Sequence, residues 1–130
     1  MKETKIFSIE PILTVVTGKL LCEHNMLYEI LSHITGDNIY THEIPVAANF
    51  CNIWILANYP NLRIAIDTEN MKLLESLISD AKKAKNRKES LVFAINTWFN
   101  KLKTDYGLQE TYEIEKYHDE WIQFQKKTIT

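Results

Sequence analysis

Thr41-His42-Glu43 is the most catalytic-looking cluster of the chain, an imidazole and a carboxylate side by side in a loop. An imidazole titrates near neutrality, and a carboxylate beside it can orient it as a general base. Asp37 lies just upstream as a second possible partner, so a small enzyme with His42 as base and Glu43 or Asp37 as helper is one reading. Against it, neighbouring residues usually point different ways, and no Ser or Cys nucleophile sits on a recognisable elbow. The competing expectation is that Thr41 and His42 hydrogen-bond the loop backbone and fix its path into Pro45. The reading adopted assigns no catalytic residue. It treats Asp37, Asn38, Tyr40, Thr41, His42 and Glu43 as a candidate binding surface instead.

Metal and phosphate chemistry are poorly served. His24, His33 and His42 recur every nine residues, Cys22 precedes His24 by two, and His118 stands apart. A zinc site needs ligands converging at about 2.0–2.3 Å, and no HExxH, CxxC or HxxxH pair supplies that convergence. Gly36-Asp37-Asn38 follows a helical pattern and lacks the lysine and further glycines of a phosphate loop, and Thr17-Gly18-Lys19 lacks the preceding strand. No metal and no cofactor is expected.

A second candidate surface is the basic run Lys82, Lys83, Lys85, Arg87 and Lys88. It could meet phosphates or an acidic partner, or simply be a solvated helix end whose cations complement the macrodipole. Trp54, Trp98 and Trp121 fall on apolar faces and are expected in the core, whereas Tyr40, Tyr59 and Tyr112 read as loop residues that could mark a surface.

These groups must be carried by a mainly helical chain. Ser8-Ile9-Glu10-Pro11 starts a helix, with Ile12, Leu13, Val16, Leu20 and Leu21 as its apolar stripe and Gly18 as either a close-approach point or an early end. Asn25 caps a helix over 26–35 that buries Leu27, Ile30, Leu31 and Ile34 and stops at Gly36. Pro45 opens a third helix over 46–59, whose wide apolar face suggests a central position. Residues 62–66 alternate as a short strand expected to pair with residues 111–117. Further helices are expected over 69–85, capped by Asp67 or Thr68, over 89–106, ended by Gly107, and over 120–127, capped by Asp119. The expected fold is a bundle of about five or six helices with at most a small two-stranded β element, as a single domain over 1–130.

Composition narrows the partners. The 45% hydrophobic and 25% charged content suits a folded chain rather than a disordered one, and three glycines and three prolines leave little room for long linkers. A net charge of −2 gives no overall footprint for nucleic acid or anionic membrane. No secretory leader or membrane-spanning run is visible near Met1, which points to a cytoplasmic protein with Cys22 and Cys51 as reduced, buried thiols.

Three ordered stretches, Ile12-Leu13-Thr14-Val15-Val16-Thr17-Gly18-Lys19-Leu20-Leu21, then Leu27-Tyr28-Glu29-Ile30-Leu31-Ser32-His33-Ile34-Thr35-Gly36-Asp37, then Tyr40-Thr41-His42-Glu43-Ile44-Pro45, resemble a family of small phage and prophage proteins of unknown function. That family typically reads LTVTTGRLL, then LYDLLNHMTGDxLFTHQLPRA. The resemblance covers residues 9–61 and extends loosely to Trp98, Tyr106-Gly107 and His118. This chain has Glu43 where glutamine is common and Val46-Ala47 where a basic residue and alanine are usual, and it carries an apparent insertion over 69–88. The resemblance implies a phage or prophage origin in a bacterial host cell and supplies no activity. The expected function is a non-enzymatic protein that binds and modulates a host or phage protein, for example as an anti-CRISPR-like inhibitor of a defence system. The alternatives are a nucleic-acid-associated module using residues 82–88 and the small enzyme based on His42. Oligomeric state is left open.

Overall fold

The two ends of the chain meet in an antiparallel ribbon. In the computed structural model, which describes residues 2–129, strand β1 (Thr4–Ser8) pairs with strand β2 (Thr111–Glu115), with Thr4 opposite Glu115 and Ser8 opposite Thr111. Phe7, Tyr112 and Ile114 turn inward from it. Residues 62–66 are therefore not the partner of β2. They belong to a 3-10 segment, Pro60–Ile66, opened by its proline. A strand would have buried Leu62, Ile64 and Ile66 together. The three-residue period buries Leu62 and Ala65 and leaves Ile66 exposed.

Between the strands lie five α-helices, α1 (Ile9–Thr17), α2 (His24–Thr35), α3 (Ile44–Asn58), α4 (Thr68–Lys82) and α5 (Arg87–Tyr106), and a sixth, α6 (His118–Ile129), follows β2. The mainly helical architecture with one small sheet is the one anticipated. The central element is different: α1, not α3, is surrounded, with every residue from Pro11 to Val16 buried. A helix that is apolar all round belongs inside, and α2, α3 and the Pro60–Ile66 segment all pack against it. Gly18 ends α1 early, in the left-handed conformation, so Leu20 lies outside the helix and exposed while Leu21 folds back into the core. Thr14 on α1 is buried because its hydroxyl is fully used: it donates to Glu10 O (2.9 Å) and accepts from Leu21 N (3.1 Å).

Several caps also differ from expectation. The N-cap of α2 is Glu23 rather than Asn25, α6 already begins at His118, ahead of Asp119, and Val46 is exposed on α3. Asp67 does cap α4, accepting from Thr68 N at 3.0 Å. One aromatic cluster joins α3 to α6, with Phe50 edge-on to Trp121 (5.2 Å) and Trp54 stacked on Tyr117 (4.6 Å). Cys51 is buried and Cys22 half-buried, and both are free thiols.

Tyr117 gives this corner a pH dependence. Burial, and secondarily the Glu115 carboxylate, pushes its phenol up to about 12. The folded state thus holds the proton longer than the unfolded chain, whose tyrosines titrate near 10. Its contribution is present below about pH 10 and is lost as pH rises toward 12. Melting temperatures measured across that window should fall, and Tyr117→Phe should flatten the decline.

Candidate functional site

The residues singled out in the sequence occupy two supports. Asp37 to Glu43 form the connector from α2 to α3, and Lys82 to Lys88 form the turn joining α4 to α5.

The connector is built from both ends. Gly36 ends α2 at φ +69°, and its N–H donates to Ser32 O at 2.9 Å. The two carbonyls orphaned there are taken by the start of α6: Tyr117 N donates to Ile34 O (2.6 Å) and His118 Nδ1–H to Thr35 O (2.8 Å). A second histidine, His33, ties α2 to the ribbon by donating Nε2–H to Ile114 O at 2.7 Å. Two of the four histidines are thus committed to backbone carbonyls.

Past Gly36, Asp37 Oδ1 accepts from Asn38 N (2.9 Å), and Ile39 is buried. Thr41–Glu43 make one 3-10 turn, with Glu43 Oε1 accepting from Tyr40 N at 3.0 Å and Tyr40 O accepting from Glu43 N at 2.8 Å. Thr41 pairs with the Tyr28 hydroxyl at 2.8 Å. His42 does not bond the loop backbone, contrary to expectation. Its exposed ring stacks on Tyr40, itself 65% exposed, with 6.2 Å between centroids. The carboxylate that fixes the loop is Glu43.

This arrangement gives His42 neither a carboxylate to orient it nor a nucleophile to activate, among the described residues. No group of three or more His, Cys, Asp and Glu side chains converges as a metal site among those residues either. Because His42 is exposed and stacks on the exposed Tyr40 ring, His42→Ala should change unfolding free energy by less than about 0.5 kcal/mol in a denaturant titration. Glu43→Ala should cost about 1 kcal/mol, since it removes a loop-closing bond.

The basic run is a different kind of feature. Every residue from Lys82 to Lys88 is exposed. Lys82 sits in the last turn of α4, where a cation suits the macrodipole, but Arg87 and Lys88 open α5, where it does not. The run is a solvated helix end at Lys82, a turn, and the start of α5, together the tip of a hairpin. Arg87 Nε–H donates to Lys82 O (3.1 Å) and closes the turn, and no carboxylate pairs with any of the five cations among the described residues.

The hairpin is anchored at its other end. Trp98 on α5 is fully buried and donates Nε1–H to Asn70 O (2.9 Å), while the buried Asn70 side chain donates to Ile64 O (2.7 Å). Toward the tip, the buried positions of both helices shrink to Ala81 and Ala94. There a groove of about 590 Å³ opens, lined by apolar Leu77, Ala81, Ala84, Phe93 and Ala94 and by polar Asp80, Glu89, Ser90 and Thr97. Phe93 is 75% exposed and Val92 54% exposed.

The helical spacing of Leu91, Val92, Ile95, Trp98, Phe99 and Leu102 in the sequence suggests that Val92 is on the buried face and leaves Phe93 out, whereas both are exposed. The available signal was that Phe93 shares a helix face with the polar Thr97 and Asn100, where a large apolar side chain has no core to fill. Of the three tyrosines read as surface residues, only Tyr40 is exposed. Tyr112 is buried and accepts from Gln109 N (2.9 Å), and half-buried Tyr59 donates its hydroxyl to Glu113 O.

Among the described residues, no helix is long and apolar enough to cross a membrane. No curated protein and no solved structure matches the chain. Residues 7–65 match a family described as a domain of unknown function, DUF7736, so the chain is similar to an uncharacterised family from the end of β1 through the Pro60–Ile66 segment, and the α4–α5 hairpin lies beyond the match.

Proposed function

We propose that this chain is a non-enzymatic interaction protein that binds a host or phage protein and modulates it by covering one of its surfaces. The observation that carries this reading is the α4–α5 tip, where Phe93 and Val92 stand exposed beside five cations that lack carboxylate partners among the described residues. Both features cost something in isolation. Exposed large apolar side chains invite association, and cations at the start of α5 oppose its dipole by roughly 0.3–1 kcal/mol each. A partner offsets both.

The resemblance of residues 9–61 to small phage and prophage proteins supports a target in the infected cell, a defence component such as a CRISPR–Cas protein being one such target. That the exposed His42 ring stacks on Tyr40 and has no carboxylate to orient it, among the described residues, speaks for binding over catalysis at the connector.

The experiment is affinity capture from nuclease-treated host lysate. It compares the wild type with a variant carrying glutamine at Lys82, Lys83, Lys85, Arg87 and Lys88. A protein retained by the wild type and lost from the variant is expected. Equal retention by both, or retention of nucleic acid alone, would contradict the reading.

A further inference from the structure

The ribbon that joins the two ends of the chain has two edges, and they differ. Lys116 N donates to Glu3 O (2.8 Å) and Ile9 N to Glu110 O (2.9 Å), with one unbroken register between them. In an antiparallel pair, residues that exchange backbone hydrogen bonds alternate with residues that do not. Lys5 and Phe7 therefore turn their backbone groups toward Ile114 and Tyr112, while Thr4 and Ile6 on β1, and Glu113 and Glu115 on β2, turn theirs outward. The outer edge of β2 is engaged, since Tyr59 donates its hydroxyl to Glu113 O. The outer edge of β1 is open: among the described residues, nothing bonds the outward N–H or C=O of Thr4 or Ile6.

Exposed strand edges are normally blunted by a free charge, a proline or a bulge. β1 has no proline and pairs without a bulge. Its lysine does not guard the edge either: Lys5 Nζ lies over the Phe7 ring (5.5 Å) and pairs with Glu29 of α2 (2.6 Å), both on the inner side of the ribbon. On the other side Ile6 is 67% exposed. An unpaired row of backbone donors and acceptors is matched by an extended strand, and Ile6 by an apolar side chain opposite it.

We infer that β1 pairs with β1 of a second copy of this chain, antiparallel about a two-fold axis at Ile6, to give a four-stranded sheet of order β2-β1-β1-β2. The inference goes beyond the interaction reading above and uses a different surface. A copy of β1 meets both demands of the edge. Ile6 of one copy faces Ile6 of the other, and Thr4 faces Ser8 on either side of the axis. Charge selects this register. Because outward backbone groups belong to alternate residues, the strands can slide only in steps that keep Thr4, Ile6 and Ser8 in bonded pairs. One such slip sets Lys5 directly against Lys5, and the opposite slip leaves Ile6 against Ser8 and Thr4 beyond the end of β1. The edge is five residues long, so the dimer is a small, reversible one, with a dissociation constant of roughly 1 µM to 1 mM.

The test is sedimentation equilibrium of the whole chain from about 10 µM to about 1 mM, a range that spans such an interface. The wild type should pass reversibly from monomer to dimer. Variants at position 6 are made together with Glu113→Gln, which removes the carboxylate facing that position on β2 and should by itself leave the dimer intact. Ile6→Lys and Ile6→Glu each put like charges together at the axis and should weaken the dimer about tenfold or more. An equimolar mixture of the two should recover dimer, because position 6 faces position 6 in this register. Ile6 is outside the core, so both variants should keep the melting temperature of Glu113→Gln. A readout without substitution is the Ile6 amide of the wild type, which should gain protection from hydrogen exchange as protein concentration rises.

A monomer at every concentration, a dimer indifferent to Ile6→Lys, or no recovery in the mixture would overturn the proposal. So would an Ile6 amide protected only when a lysate protein is bound to a chain that is monomeric alone, since the occupant of the edge would then be a foreign strand. A dimer lost with Phe93→Ser and unchanged by the position 6 variants would place self-association at the α4–α5 hairpin and equally contradict it.

Discussion

Gly36→Ala should destabilise the protein by about 3 kcal/mol, read as a fall of about 10 °C in melting temperature. Two costs combine. The left-handed conformation at φ +69° costs a residue with a Cβ about 1 kcal/mol. The added Cβ would also lie 2.8 Å from His118 Cβ and 2.8 Å from its Nδ1. His118 Cβ is fixed to the first turn of α6, so the clash can be relieved only by moving that helix. The bonds from His118 Nδ1 to Thr35 O and from Tyr117 N to Ile34 O then weaken, at about 1 kcal/mol each. The chain holds its own controls. Gly18 and Gly107 have nearly the same φ, 74° and 70°, but open space where a Cβ would stand. Gly18→Ala and Gly107→Ala should therefore show the backbone cost alone, and His118→Gly should restore part of the loss in the Gly36→Ala background.

Trp98→Ala should cost still more, about 4 kcal/mol, a large share of the ~5–15 kcal/mol that holds an ordinary domain folded. Truncating a fully buried tryptophan leaves a cavity, and here it also removes the donor to Asn70 O. Asn70 in turn holds Ile64 O, so one side chain fastens α5, α4 and the Pro60–Ile66 segment. Trp98→Phe separates the two contributions. It keeps most of the ring and loses the hydrogen bond, and should cost about 1–2 kcal/mol in a denaturant titration. In the alanine variant the hairpin should be the first part cut by protease, since its tip has only alanines at its buried positions.

Local chemistry made the helix boundaries legible. Pro45 in the first turn of α3, Gly36 and Gly107 after α2 and α5, and Asp67 before α4 act through their own backbone conformation or their own side chain. The ribbon was not legible in the same way. Its strands lie at opposite ends of the chain, and Thr4-Lys5-Ile6-Phe7-Ser8 buries too little to announce a strand. Alternation at 62–66 pointed to the wrong partner, because Leu62, Ile64 and Ile66 match a period of two, whereas the folded segment buries Leu62 and Ala65 on a period of three. Pro60 and the packing against α1 select the latter.

The candidate surfaces show the same division. The basic run was visible as charge, but its position at a hairpin tip depends on where α5 begins. His42 and Glu43 were visible as a pair, but only the folded loop shows Glu43 turned to Tyr40 N and His42 laid on the Tyr40 ring.

Hydrogen–deuterium exchange of the protein, alone and with a partner captured from lysate, tests the central claim most directly. If the α4–α5 hairpin is the contact element, exchange should slow over residues 77–97, with little change in α1 or the ribbon. Protection confined to residues 36–45, or no protection at the hairpin, would contradict it.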